Sequence, residues 1–374
     1  MKIQAGKPVT GRDLIGREKE VALVSELLQQ GQSVVLIAPR RFGKTSIVLE
    51  VLRRLKNQGH FTAYVDIFAV PGIRHLSEQI TSSVLANKKL EKTFRDIRKN
   101  IGQVVKNVEL KQVVEDFEFI LKYTSPDSDE WELLSESIDF IDNFTGKYRK
   151  DIFCGLDEFG DIDKLDGDNI VKLFRSKIQV QQNSAYIFSG SSESMMDSLF
   201  ARKNAPFYRL ARIIELGYIH KDAFRKYLEN AFRRTGIKAG PGVIDEILEF
   251  TKGHPYYTQL ILQHIYVTQT LSAKPLSFNM KTILEELLVA EKNYLEKLWE
   301  EISARKEHRM VTMKIAEGAG SVYAELDHKS INVARTLKAL RGSGYVLKSE
   351  KGRYELADPL FRHWIREKVL KIRG

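Results

Sequence analysis

The stretch VVLIAPRRFGKTS, residues 34–46, puts four strand-forming residues ahead of a loop ending in Gly-Lys-Thr. A loop of the pattern G-x-x-x-x-G-K-[ST], between a strand and a helix, cradles phosphates with its backbone N–H groups. Gly43 lets the chain turn those groups inward at the positive end of the following helix. Lys44 can reach β- and γ-phosphates, and the Thr45 hydroxyl can ligate Mg²⁺. Pro39, Arg40, Arg41, Phe42 and Ser46 complete the candidate contacts of the loop. Ala38 stands where the pattern has its first Gly, a minor departure if its φ stays negative. The other half of such a site is an apolar strand ending in acid. DIFCGLDEFGDID supplies it 113 residues beyond Lys44, with Ile152 to Leu156 running into Asp157 and Glu158. Asp157 is expected in the Mg²⁺ shell, and Glu158 is expected to orient or deprotonate the attacking water.

These side chains need a scaffold. TSIVLEVLRRLKNQG carries Ile47, Val48, Val51, Leu52 and Leu55 at helical spacing, with Gly59 as a stop. Strands are expected at Val34–Ile37, Thr62–Ile67, Ile152–Leu156, Ala185–Gly190 and Ile213–Leu216, with helical patterns between them, so the fold class is α/β with a parallel, doubly covered sheet. The strand AYIFSGS ends in Ser189, Ser191 and Ser192. Because ligands bind at the carboxyl ends of parallel strands, Ser191 is the candidate to sense a γ-phosphate or position water, against the plainer reading of a strand-end turn. Between about 87 and 150 the connection exceeds a simple crossover. There Phe117, Phe119, Leu121 and Tyr123 alternate like a strand, and Trp131, Leu134, Ile138 and Ile141 recur like a helix.

Apolar residues make up 43% and charged residues 29% of 374, a globular composition. The lone Cys154 excludes an intramolecular disulfide and a Cys-based zinc cluster, and it reads as a buried strand residue. MKIQAGKPVTGRD has no apolar stretch of signal-peptide type, and no run approaches the ~20 apolar residues needed to span a bilayer. The expectation is a cytoplasmic chain with no membrane partner.

Net charge is +10, and from Arg305 onward 16 Lys and Arg stand against 8 Asp and Glu. A local basic surplus suits an anionic partner such as nucleic acid, or simply a soluble surface. Within this part, SVYAELDHKSINVARTLKALRGSGYVLKSEKGRYEL reads as helix, turn, helix and a two-stranded wing. Ile331, Ala334, Leu337 and Leu340 are expected on the core side of the second helix, with Asn332, Arg335 and Thr336 on another face. Asn332, Arg335 and Lys338 on the helix, with Lys348, Lys351 and Arg353 on the wing, are the candidate contacts to double-stranded DNA. Leu360, Phe361, Trp364 and Ile365 in ADPLFRHWIRE fit docking on the chain's own core equally well.

Taken together, the chain resembles the archaeal-type P-loop ATPases, also found in bacteria, on the STAND and AAA+ side of the P-loop proteins. APRRFGKTS and FCGLDEFGD resemble their Walker A and Walker B segments, and YIFSGSSESMMDSLF the stretch with the sensor-1 position. DLIGREKEV resembles the segment that packs against adenine, which implies Ile15, Gly16 and Arg17 as contacts. KGHPYYTQL resembles the lid motif, implying Gly253, His254 and Pro255 near adenine or ribose, and LADPLFRHWIRE resembles the C-terminal signature. The family also implies an Arg that completes the site, from a neighbouring subunit or the lid, and Arg209 and Arg212 are the positions that could carry it. Choice of ATP/ADP over guanine nucleotides rests on this resemblance.

The reading is therefore a P-loop α/β core (1–218, with an insert at about 87–150), a helical lid (219–304) and a winged-helix domain (305–374). It would be a slow Mg²⁺-dependent ATP hydrolase whose nucleotide state switches the winged helix. Two alternatives stay open: an origin or mobile-element DNA-binding factor gated by ATP, and an ADP-holding signalling switch acting through protein partners or as a homo-oligomer.

Overall fold

The computed structural model describes residues 3, 5–89, 122, 127–237, 240, 242–272, 274, 276–318, 322–326, 331–348 and 353–372. Five parallel strands, β1 (Ser33–Ile37), β2 (Phe61–Asp66), β3 (Ile152–Asp157), β4 (Ser184–Gly190) and β5 (Ala211–Glu215), lie in the order β2-β3-β4-β1-β5. They agree with the expected strands to within two residues at each end. The central strands β1 and β3 are buried along their whole length, as in a sheet covered on both faces.

Alternation along each strand sorts its side chains between two cores. Val34 and Leu36 face α1 (Glu18–Gln29) and α2 (Lys44–Asn57). Val35 and Ile37 share the opposite core with α3 (Ile73–Leu85), α4 (Glu130–Tyr148) and α5 (Asp163–Ile178). Leu134, Ile138 and Ile141 are buried there, as their spacing predicts, so this helix is part of the sheet's cover. The alternating Phe117, Phe119, Leu121 and Tyr123 lie outside the described residues. Cys154 is buried on β3. Gly155 is required by close approach, because a Cβ there would lie 2.6 Å from Val48 Cγ1 of α2.

After the short α6 (Glu193–Met196) and β5, the chain turns helical: α7 (Lys221–Thr235), α8 (Val243–Thr251), α9 (Pro255–Leu271), α10 (Met280–Ala290) and α11 (Lys292–Ser303). Then follow α12 (Lys306–Glu317), α13 (Val322–Leu326), α14 (Val333–Gly342), the antiparallel ribbon β6 (Val346–Lys348) and β7 (Tyr354–Leu356), and α15 (Pro359–Trp364). One apolar cluster runs from Phe224 through Ile302 to Ile365, and it takes in Leu360, Phe361 and Trp364 of the C-terminal signature. The register of α14 differs from the expected one. Asn332 caps the helix by accepting the Arg335 N–H (2.9 Å), and the buried stripe is Val333, Thr336, Leu337 and Leu340, with Ala334 exposed. No helix among the described residues is long and apolar enough to cross a membrane.

Candidate functional site

The phosphate loop leaves the carboxyl end of β1 and closes on Gly43, whose left-handed φ of 89° makes it the N-cap of α2. A residue with a Cβ would be strained there, although the space is open. The first turn of α2 thus presents the N–H groups of Lys44, Thr45 and Ser46 at the positive helix end. The buried Lys44 ammonium donates to the Ala38 and Pro39 carbonyls (2.8 and 3.1 Å). Burial pulls its pKa down to about 8, against the opposing pull of Glu158 and Asp157.

Asp157 ends β3 almost fully buried and collects four donors. Thr45 Oγ1 (2.6 Å) and the Tyr64 hydroxyl (3.0 Å) reach Oδ2, while Ser189 Oγ and the Glu158 N–H (3.1 Å) reach Oδ1. Thr45 and Asp157 are hard oxygen ligands meeting beside a phosphate-type cradle, a donor set that fits Mg²⁺ shared with phosphate and water. Among the described residues no group of three or more His, Cys, Asp or Glu could hold a metal alone.

Glu158 has a positive φ of 49°, rare for a residue with a side chain and costing roughly 1–3 kcal/mol. Both its carboxylate oxygens are occupied by one residue: Ser191 N–H donates to Oε2 (3.0 Å) and Ser191 Oγ to Oε1. Ser191 is therefore a holder of the acid.

A cavity of about 800 Å³ opens in front of these groups. Beyond the loop, its walls include Val9 and Ile15 from the N-terminal segment, Pro255, Tyr256 and Gln259 from α9, and Ser343 and Tyr345 from the turn after α14. The N-terminal segment is tied to α2 by Val9 N–H to Ser46 Oγ (3.1 Å) and Gly11 N–H to Glu50 Oε2 (2.8 Å). Arg53 and Arg54 hold the Glu50 carboxylate down to a pKa of about 2.

Several expected contacts do other work. Arg40, Arg41, Phe42, Ser46, Ile15 and Pro255 line the cavity, whereas Pro39 instead faces Gly344, whose added Cβ would lie 3.8 Å from Pro39 Cβ. Arg17 lines the cavity but acts as a buried strut, its guanidinium donating to the Phe42 and Gly217 carbonyls (3.3 and 2.6 Å). Gly16 is a packing position, since a Cβ would meet Ile219 Cγ2 at 2.5 Å. Gly253 faces the same residue, with its carbonyl accepting the Ile219 N–H (2.9 Å). His254 is buried against Phe42, with ring centres 4.6 Å apart, and caps α9 through Nδ1. Desolvation, helped by Arg41, lowers its pKa to about 3, so this imidazole is neutral.

Arg209 and Arg212 are not brought to the cavity of their own chain. Arg212 lies opposite Val34, four residues before Ala38. At about 3.3 Å per residue that is on the order of 13 Å from the loop, towards the amino end of the sheet. Both are exposed. On α14, Arg335 and Lys338 are exposed, as are Lys348 and Arg353 on the ribbon, while Asn332 is engaged as the helix cap. Lys351 lies outside the described residues.

Sequence reasoning missed Tyr64 and the turn 343–345. Tyr64 becomes a partner of Asp157 only through the β2–β3 register, where it pairs with the side-chain-free Gly155. Ser189 is visible in the sequence as a polar strand end, but its neighbour on β3 is not.

Comparison with known proteins follows the same lines. A family described as an ATPase domain predominantly from Archaea matches residues 14–261. A search of the curated proteins finds no significant match. Among solved structures, a Walker-type ATPase of Pyrococcus abyssi is similar at 19% identity, over 96% of this chain and 99% of that one, with a TM-score of 0.69. The ORC2 protein of Aeropyrum pernix, in ADPNP–ADP complexes, is similar at 13% identity over 98% of both chains, with a TM-score of 0.56. The ORC1 protein of the same organism, in complex with DNA, gives 14% identity over 96% and 95%, with a TM-score of 0.50. At such identities the structural likeness establishes the P-loop α/β fold. The family match covers most of the chain, including both the phosphate loop and the acid pair, and the chain belongs to this family of ATPase domains found predominantly in Archaea.

Proposed function

We propose that the chain hydrolyses ATP with Mg²⁺ and uses the nucleotide state to seat or release its C-terminal module, read as a winged helix that binds double-stranded DNA. Lys44 and the first N–H groups of α2 hold the β- and γ-phosphates. Thr45 and Asp157 hold Mg²⁺, which when bound supplies charge neutralisation at the phosphates. Glu158, oriented by Ser191, accepts the proton of the attacking water. Arg209 and Arg212 serve the site of a second copy.

One observation carries the switch: Ser343 and Tyr345 of the C-terminal module line the same cavity as Lys44 and Glu158. The seat extends to α6. Ser192 and Ser194 hydroxyls donate to the Gly342 carbonyl (3.4 and 3.3 Å), and Arg341 pairs with Glu193. A change at Ser191 thus reaches the module through the adjoining Ser192 and its hydrogen bond to Gly342. The DNA reading is supported by the exposed basic face of α14, by the basic surplus after residue 304, and by the DNA-bound ORC1 relative.

The test is steady-state ATP hydrolysis with Mg²⁺, with and without duplex DNA, for wild type, Lys44→Ala and Glu158→Gln. Both substitutions should abolish turnover, and duplex should raise the wild-type rate severalfold, less so as salt increases. Turnover shared equally by all three proteins overturns the roles of Lys44 and Glu158. A rate untouched by duplex at low and moderate salt favours the second reading, an ADP-retaining switch acting on protein partners, which the seating of Ser343 and Tyr345 in the cavity wall also supports.

A further inference from the structure

The second Arg of the phosphate loop and the Asp of the C-terminal signature have no part in the chemistry above. Arg41, with a positive φ of 71°, is one of few residues bearing a side chain in that region, and it lies two residues before Gly43. Its guanidinium carbon is 4.1 Å from the centre of the Tyr256 ring on α9 and 5.1 Å from that of Tyr294 on α11. The Tyr294 hydroxyl reaches Asp358 Oδ2 at 3.4 Å, and the Tyr257 hydroxyl donates to the same oxygen. Asp358 itself caps α15 by accepting the Phe361 N–H at 2.8 Å. Loop, lid and C-terminal helix thus meet in one contiguous contact. Cation–π attraction here offsets a left-handed backbone that otherwise disfavours a residue with a side chain.

We propose that Arg41 is a positioning residue through which the C-terminal signature holds the phosphate loop in shape. Asp358 anchors Tyr294, the Tyr294 and Tyr256 rings hold the guanidinium, and the guanidinium holds the turn that delivers Gly43 and Lys44. The link rests on the phosphate-loop reading and is independent of DNA. It makes the affinity of the loop for ATP depend on residues some 250 to 320 positions away in sequence, at Tyr294 and Asp358.

The experiment titrates the full-length chain with fluorescently labelled ATP and Mg²⁺, without DNA. Tyr294 is partly exposed, so Tyr294→Leu is tolerable for folding, which thermal melting checks. Losing one cation–π contact between two solvent-exposed side chains should weaken ATP binding roughly 2- to 5-fold, with kcat at saturation changed much less. Arg41→Gly, which keeps the backbone conformation accessible, should weaken it comparably, and Arg41→Lys should restore part of the affinity. The double variant Arg41→Gly/Tyr294→Leu should be no weaker than Arg41→Gly alone. Tyr294→Phe keeps the ring and loses the anchor, so it should fall between wild type and Tyr294→Leu. Wild-type affinity in Tyr294→Leu, or full additivity in the double variant, overturns the proposal. Lys44→Ala separates the two claims: if it binds ATP as well as wild type, the loop assignment itself fails.

Discussion

Gly342, the last residue of α14, offers a way to loosen the C-terminal module without touching the nucleotide. A Cβ built there lies 2.9 Å from Ser194 Cβ and 3.1 Å from Ser194 Oγ, and the first of these is attached directly to backbone. Two effects of Gly342→Ala oppose each other. Within α14, Ala is favoured over Gly by roughly 1 kcal/mol in either state of the module. Against α6, overpacking costs roughly 1–3 kcal/mol, and only when the module is seated. The first term cancels between the two states, so the second decides. The seated-to-released ratio should fall about 5- to 150-fold. Because Ser343 and Tyr345 wall the cavity, ADP bearing a fluorescent ribose label should leave faster by up to that factor, measured by stopped flow after chasing with unlabelled ADP. Glu193→Gln gives an internal ranking. Its pair with Arg341 is about one-third exposed on both sides, so losing it is worth at most about 1 kcal/mol and should accelerate release less. A folded Gly342→Ala protein that releases ADP at the wild-type rate refutes the idea that the seated module closes the cavity.

Two other outcomes follow from the site geometry. Ser191→Ala removes one of the two donors that hold Glu158 and leaves the backbone one, so kcat should fall roughly 10-fold, about 1.4 kcal/mol, with KM for ATP little changed. An unchanged kcat would detach Ser191 from the acid's function. His254 makes stability depend on pH. Its folded pKa near 3 lies below the ordinary 6.5, so between these values the unfolded chain binds more protons and stability falls as pH falls. The slope is at most about 1.4 kcal/mol per pH unit, roughly 2 kcal/mol lost at pH 5 relative to neutrality. His308 and His363, whose pKa values burial also lowers, keep part of the slope in any variant, so urea unfolding should show a steeper fall with pH in wild type than in His254→Asn, which keeps a capping side chain, and parallel profiles would overturn the account.

Much of the core is legible in the sequence because local rules suffice for it. The apolar runs of the strands, the helical spacing after Thr45 and the Gly at a left-handed loop position are properties of adjacent residues, and together they mark the phosphate loop and the acid pair. The tertiary structure decided what adjacent residues cannot. Register between strands set Tyr64 and Ser189 on Asp157, and Ser191 on Glu158. Packing made Gly16 a point of close approach to Ile219, and it made structural residues of Arg17 and His254, types that a motif alone cannot distinguish from ligands, because a buried cation or imidazole satisfies itself on whichever backbone groups the fold presents. The seating of the turn 343–345 over a cavity whose phosphate loop lies some 300 residues earlier, and the meeting of Arg41 with Tyr294 and Asp358, are contacts across the whole length of the chain. Sequence periodicity reports which face of an element is apolar. Which other element covers that face is set by the shape and volume of the completed core.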